Sequence, residues 1–152
     1  MKKRLNSANV KSLQRSSSIS SFKLTRMVTT EVSQLSRECS TWLEQLRAQR
    51  EKLTANKTRL RSLCGPATTP DVCTEIEHLD NQFHIQLINI HDLKHEIKKH
   101  EHKIAQERKV TDGLVSDDSL VRHESLFDDY QRLGNTLHEI GQEFEYFVRQ
   151  AK

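Results

Sequence analysis

From Val28 onward the apolar residues recur at alternating spacings of four and three, a pattern that only long helices burying one stripe each can use. In the first segment Val28, Val32, Leu35, Cys39, Trp42, Leu46, Leu53, Leu60 and Leu63 share a stripe, with Gln49 and Asn56 as polar interruptions. The second stripe holds Val72, Ile76, Leu79, Phe83, Ile90, Leu93, Ile97 and Ile104, interrupted by Gln86 and His100. Near its centre Ile85, Leu87 and Ile88 widen the apolar surface, as expected of a helix that touches more than one partner. The third stripe is Leu126, Tyr130, Leu133, Leu137, Ile140, Phe144, Phe147 and Ala151. Gly134 and Gly141 lie beside it and either permit close helix approach or loosen the contact.

The breaks between stripes are explicit. Cys64-Gly65-Pro66 ends the first segment, with Gly65 expected as a left-handed cap and Pro66 forbidding continuation. Thr69-Pro70-Asp71 supplies an N-cap, a proline at the first helical position and an acid in the first turn. Thr111-Asp112-Gly113 closes the second segment, and Ser116-Asp117-Asp118 opens the third. Helices are therefore expected at about 28–63, 70–109 and 117–151. Two short connections make neighbouring helices antiparallel, so the reading is an all-α, up-down-up three-helix bundle over residues 28–152, roughly 55 Å long at the helical rise. Folding about Gly65-Pro66 places Gln49 near Gln86, at the level of Ile140. That layer holds either paired amides that fix register or water-filled slack.

Residues 1–27 are of a different kind. They carry Lys2, Lys3, Arg4, Lys11, Arg15, Lys23 and Arg26 with no acid, leaving 17 basic against 21 acidic residues in the rest. With seven serines and little to bury, this segment reads as a disordered basic arm. Lys2, Lys3, Arg4, Lys11 and Arg15 are the residues expected to meet an anionic surface such as an acidic membrane. Ser18 and Ser7 each follow an arginine by three positions and are candidate phosphorylation sites. A phosphate there removes about 1.5 to 2 charges and weakens such attachment. The arm also has the Arg- and Ser-rich, acid-free makeup of a mitochondrial presequence, although its serine run interrupts an amphipathic helix.

Composition removes other classes. At 34% hydrophobic and 30% charged, with four Gly and two Pro, the chain does not read as a sandwich, barrel or collagen-like repeat. No apolar run reaches the roughly 18 residues of a membrane span, and the N-terminus lacks a signal h-region. Three cysteines without a secretory address point to reduced thiols. Cys64 and Cys73 flank the first turn and can approach each other, which leaves a staple open under oxidation although free thiols are expected, whereas Cys39 reads as small core filler.

Nothing in the sequence has the pattern of a catalytic site, a phosphate cradle or a cofactor motif, so the expectation is no enzyme, no cofactor, no small-molecule substrate and no metal. Histidine is abundant, with six of eight on the second helix, and His91 and His95 have the i, i+4 spacing of a ligand pair. A third ligand is missing from the sequence pattern around them, and with His84 and His102 they read as a solvated face. His100, at a stripe position, is expected in a seam that loosens on protonation near pH 6. Phe22 is the arm's one aromatic, which argues against nucleic-acid stacking.

The string Leu93-Lys94-His95-Glu96-Ile97-Lys98-Lys99-His100-Glu101-His102-Lys103-Ile104 resembles the middle-helix signature of spectrin repeats. Trp42-Leu43-Glu44 resembles the buried Trp and following Leu of the family's opening helix, and Leu126-x-x-x-Tyr130-x-x-Leu133 its third-helix motif with Tyr for Trp. The spacing from Trp42 to His100 is longer than in that family and that from His100 to Tyr130 shorter, which leaves open a generic three-helix bundle or a coiled-coil protein sharing only the heptad pattern. The expected structural core is Trp42, Leu46, Leu93, Ile97, Tyr130 and Leu133, all on the heptad stripes, and the resemblance implies the same spectrin-repeat-like packing. It also implies a scaffold or tethering module acting through helical protein contacts at the cytoskeleton or nuclear envelope, in the cytoplasm. The alternative is a subunit of a centrosomal, kinetochore or ciliary coiled coil whose stripes pair with other chains.

Overall fold

The computed structural model describes the backbone of residues 21–110 and 115–151, and side chains from Val32 onward within those spans. Three helices make up the described chain: α1 (Ser21–Arg61), α2 (Pro70–Val110) and α3 (Asp117–Ala151), and no strand occurs among the described residues. α1 thus begins seven residues before the expected Val28. Residues 1–20, including Ser7, Ser18, Lys2, Lys3, Arg4, Lys11 and Arg15, lie outside the described residues, as does the Thr111-Asp112-Gly113 break. No helix among the described residues is long and apolar enough to cross a membrane.

The helix ends follow local hydrogen-bond chemistry. α1 closes in tight turns, with Leu63 N–H donating to Leu60 O at 3.1 Å and Cys64 N–H to Arg61 O at 3.3 Å. Gly65 is not left-handed here, contrary to expectation. Its N–H donates instead to Thr68 Oγ1 at 2.7 Å, and Thr68 N–H returns to Gly65 O at 3.0 Å, so a side-chain-closed turn replaces the glycine cap. Thr69 then caps α2 through Val72 N–H at 3.3 Å, with Pro70 at the first helical position. Ser116 caps α3 by accepting from Ser119 N–H at 3.2 Å. Glu107 of α2 binds that cap, accepting from Ser116 N–H at 3.0 Å, Ser116 Oγ–H at 3.2 Å and Ser119 Oγ–H at 2.7 Å.

The three stripes pack on one another. Trp42, Leu46, Leu53, Leu60, Ile76, Leu79, Phe83, Ile90, Leu93, Ile97, Leu126, Leu133, Leu137, Ile140, Phe144 and Val148 form one buried cluster with Cys39. Val32, Leu35 and Ile104 form a second, closed by Val115 and Leu120. Phe83 meets Phe144 edge-on with centroids 5.4 Å apart, a geometry worth about 0.5–1.5 kcal/mol beyond burial. At the C-terminal end the buried position is Val148 and not Ala151, which is exposed; the helix period of 3.6 has drifted off the strict heptad there.

Polar pairs between helices give the order of contact. On α1 and α2, Lys57 pairs with Asp80 at 2.9 Å and Ser40 Oγ–H donates to Glu101 at 3.4 Å, so contacts run in opposite sequence order. On α1 and α3, Glu38 meets His123 at 2.8 Å and Arg59 meets Glu145 at 3.3 Å, in the same order. α2 contacts both neighbours extensively, and α1 touches α3 least.

The cross-helix amide pair expected in the middle of the chain does not form. Gln86 is buried, but its amide oxygen accepts from Asn89 of its own helix at 3.1 Å and not from Gln49, which is half-buried. A side chain four atoms long that finds a partner one turn away has no need of a cross-helix amide. Gly134 and Gly141 also bring no backbone close: a Cβ at either would meet open space. They sit instead on a groove of about 610 Å³ between α1 and α3, lined also by Gln49, Lys52, Asn56 and His138. The glycines loosen this seam. Ile85 and Ile88 do not widen the internal contact either, being 40% and 47% exposed on the outer side of α2.

The cap and the ion pair set an acid limit on stability. Burial alone raises the Glu107 carboxyl, but donors from Ser116 and Ser119 and the Lys103 charge hold it below its ordinary 4.5. Asp80 is likewise raised by burial but held below 3.8 by Lys57 and Arg61. Depressed carboxyl values contribute stability that is present above the unfolded values and lost as pH falls through the folded ones. Denaturation midpoints should therefore be level near neutrality and fall below about pH 4.5. Glu107→Gln should lower stability at pH 7 and flatten that acid limb; an unchanged limb would show that the cap does not carry it.

Candidate functional site

The heptad positions at one level of the bundle are polar where the stripes predict apolar residues. On α3 the spacing of four and three continues backward from Leu126 to His123 and Ser119, both buried. On α2 the same level holds His100, 3% exposed, and on α1 it holds Cys39, fully buried, beside Glu38. Three helices thus each deliver a polar or soft side chain to one buried junction.

These side chains form a chain of hydrogen bonds. His123 Nε2 lies 2.8 Å from Glu38 Oε1, and His123 Nδ1 lies 3.0 Å from His100 Nε2. An ionised carboxylate only accepts, so His123 carries its proton on Nε2, and with both rings neutral His100 donates from Nε2 to the bare Nδ1 of His123. His100 Nδ1 is then left buried with no partner. The His123 bond is the largest influence on Glu38, and it holds that carboxyl below its ordinary value. Burial, with the nearby His123, Arg122 and Lys103, pushes His100 down to about 4. His100 is therefore neutral at pH 6, and the expected loosening near that pH does not apply. Burial, aided by the Glu101 and Glu38 charges, pushes the Cys39 thiol up to about 12, so it is a protonated thiol at neutral pH. One donor atom each from Cys39, His100 and His123 lie within 4.8 Å of one another.

Trp42 roofs the junction. Its ring lies 4.7 Å from that of His123, 5.7 Å from Tyr130 and 5.8 Å from Phe127. Of the residues expected in the core, Trp42, Leu46, Leu93, Ile97 and Leu133 are buried, while Tyr130 is half-buried and packs against them. His84, His91, His95 and His102 are exposed. Cys64 and Cys73 come together at the α1–α2 turn, Sγ to Sγ 3.1 Å, with both thiols free.

His123 and Glu38 are the members that reading the sequence for ligand motifs passes over. The signal was present as the backward continuation of the third stripe, but motifs within one helix do not reveal a cluster drawn from three. No family model, curated protein or solved structure matches the chain.

Trp42 ties the aromatic roof to the His123 ring, and at 4% exposed it fills core volume. Trp42→Ala should destabilise the fold by about 3–5 kcal/mol in chemical denaturation. A loss under about 1 kcal/mol would place Trp42 outside the load of the core.

Proposed function

We propose that the protein is a non-enzymatic scaffold or tether: an up-down-up, spectrin-repeat-like rod that presents its outer faces to helical partners. The observation that carries this reading is that, among the described residues, all three apolar stripes pack on one another inside one chain rather than standing free for pairing as in a coiled-coil subunit. The opposed contact order of α1 and α2, and the like order of α1 and α3, support the up-down-up arrangement. Among the described residues the outer side of α2 offers a partner Ile85 and Ile88, exposed among polar neighbours at the i, i+3 spacing of a helix-docking face, while the other exposed large hydrophobics, Val110, Val121, Phe127 and Tyr146, make no such pair on one helix face. The basic arm supplies a second attachment, to an anionic surface, which phosphorylation of Ser18 or Ser7 weakens. A cytoskeletal or nuclear-envelope setting suits a rod with one apolar face and one charged arm.

Ile85→Asp with Ile88→Asp tests the docking face without touching the core. Each surface change should alter stability by no more than about 0.5 kcal/mol. Proximity labelling in cells should lose the set of neighbours labelled by the unmodified chain. Retention of the same neighbours by the folded double variant would contradict this face as the contact.

A further inference from the structure

We propose that the buried junction of the three helices is a zinc site, with Cys39 of α1, His100 of α2 and His123 of α3 as ligands. The inference is independent of the scaffold reading. The three residues come from three separate helices, are 0%, 3% and 5% exposed, and place their donor atoms within 4.8 Å of one another. Tetrahedral zinc at ordinary bond lengths needs nitrogens about 3.3 Å apart and nitrogen to sulfur about 3.6 Å. The facing ring nitrogens already stand 3.0 Å apart, so they part by a few tenths of an ångström, and the sulfur, within 4.8 Å of a nitrogen on each ring, moves in toward them.

The surroundings are those of a ligand set. Glu38 accepts from His123 Nε2, which orients the ring and leaves Nδ1 as the free lone pair, the outer-shell carboxylate arrangement of metal-bound histidines. His100 has no partner on Nδ1, so moving its proton from Nε2 to Nδ1 breaks no bond other than the one the metal replaces. Two lone pairs then face the metal. The Cys39 thiol gives up its proton to solvent as the sulfur–zinc bond forms, and the imidazoles enter neutral. Glu101 and Glu38, whose charges disfavour a bare thiolate at Cys39, favour a dication there. One thiolate and two imidazoles select a borderline ion such as Zn2+ over Mg2+ or Ca2+, which take oxygen ligands. A fourth position remains for water. Bound zinc would fasten α1, α2 and α3 at a single level.

The test uses the full chain carrying Cys64→Ser and Cys73→Ser, so that Cys39 is the sole thiol. Under reducing conditions Co2+ should produce a thiolate-to-cobalt charge-transfer band in the near ultraviolet with tetrahedral d–d bands, and Zn2+ should bleach them. Zn2+ should also raise the thermal midpoint. Cys39→Ala or His123→Ala should abolish both effects, while His91→Ala on the exposed face should leave them intact. Circular dichroism of each metal-free variant verifies that it folds. Glu38→Gln, which keeps the side chain's shape and an oxygen to accept from His123 but removes the charge, should weaken binding about 10- to 100-fold. A folded chain that gives no thiolate band, or a zinc-induced shift that survives Cys39→Ala, would overturn the proposal.

Discussion

Mutual burial of three apolar stripes is the constraint on which everything else in this molecule depends. A stripe of Leu, Ile and Phe on one long helix has nowhere to go in water, and each such side chain contributes about 1.5–3 kcal/mol when buried. Helix propensity alone does not offset the conformational entropy of ordering such helices. The stripes therefore need one another, and the turn at residues 62–69 lets α2 cover α1 at once. α3 completes the cover mainly against α2, and the α1–α3 seam is left open where Gly134 and Gly141 offer no side chain.

Within that apolar frame the polar interruptions divide into two kinds. Gln86 satisfies itself locally through Asn89 and leaves its neighbours free to pack. The Glu38–His123–His100 chain is non-local, because each member comes from a different helix. A buried donor left without its partner costs about 1–3 kcal/mol, so this chain penalises any slip of one helix past another. Its position beside Cys39 and beneath Trp42 makes it both the register mark of the bundle and the richest chemistry in it.

The sequence disclosed the helices and most of the core because heptad spacing is a one-dimensional signal. The caps at Thr69 and Ser116 were equally legible, since a cap acts within three residues. Gly65 was misread because a threonine three residues on, and not a left-handed glycine, closes the turn. Ile85 and Ile88 read as widening the apolar surface of α2 toward more than one neighbour, whereas their angular position on the helix leaves them exposed. The histidine junction was hidden for a related reason. His91 and His95 advertise themselves by spacing on one helix, but His100, His123 and Glu38 become neighbours only once three helices are assembled.

The central claim is that one chain closes its own core, and dilution tests it most directly. Light scattering of the full chain, with helicity and thermal midpoint followed over a wide concentration range, should report a monomer whose midpoint does not move. A dimer or larger species that loses helicity on dilution would contradict the account, because the stripes would then be interfaces between chains.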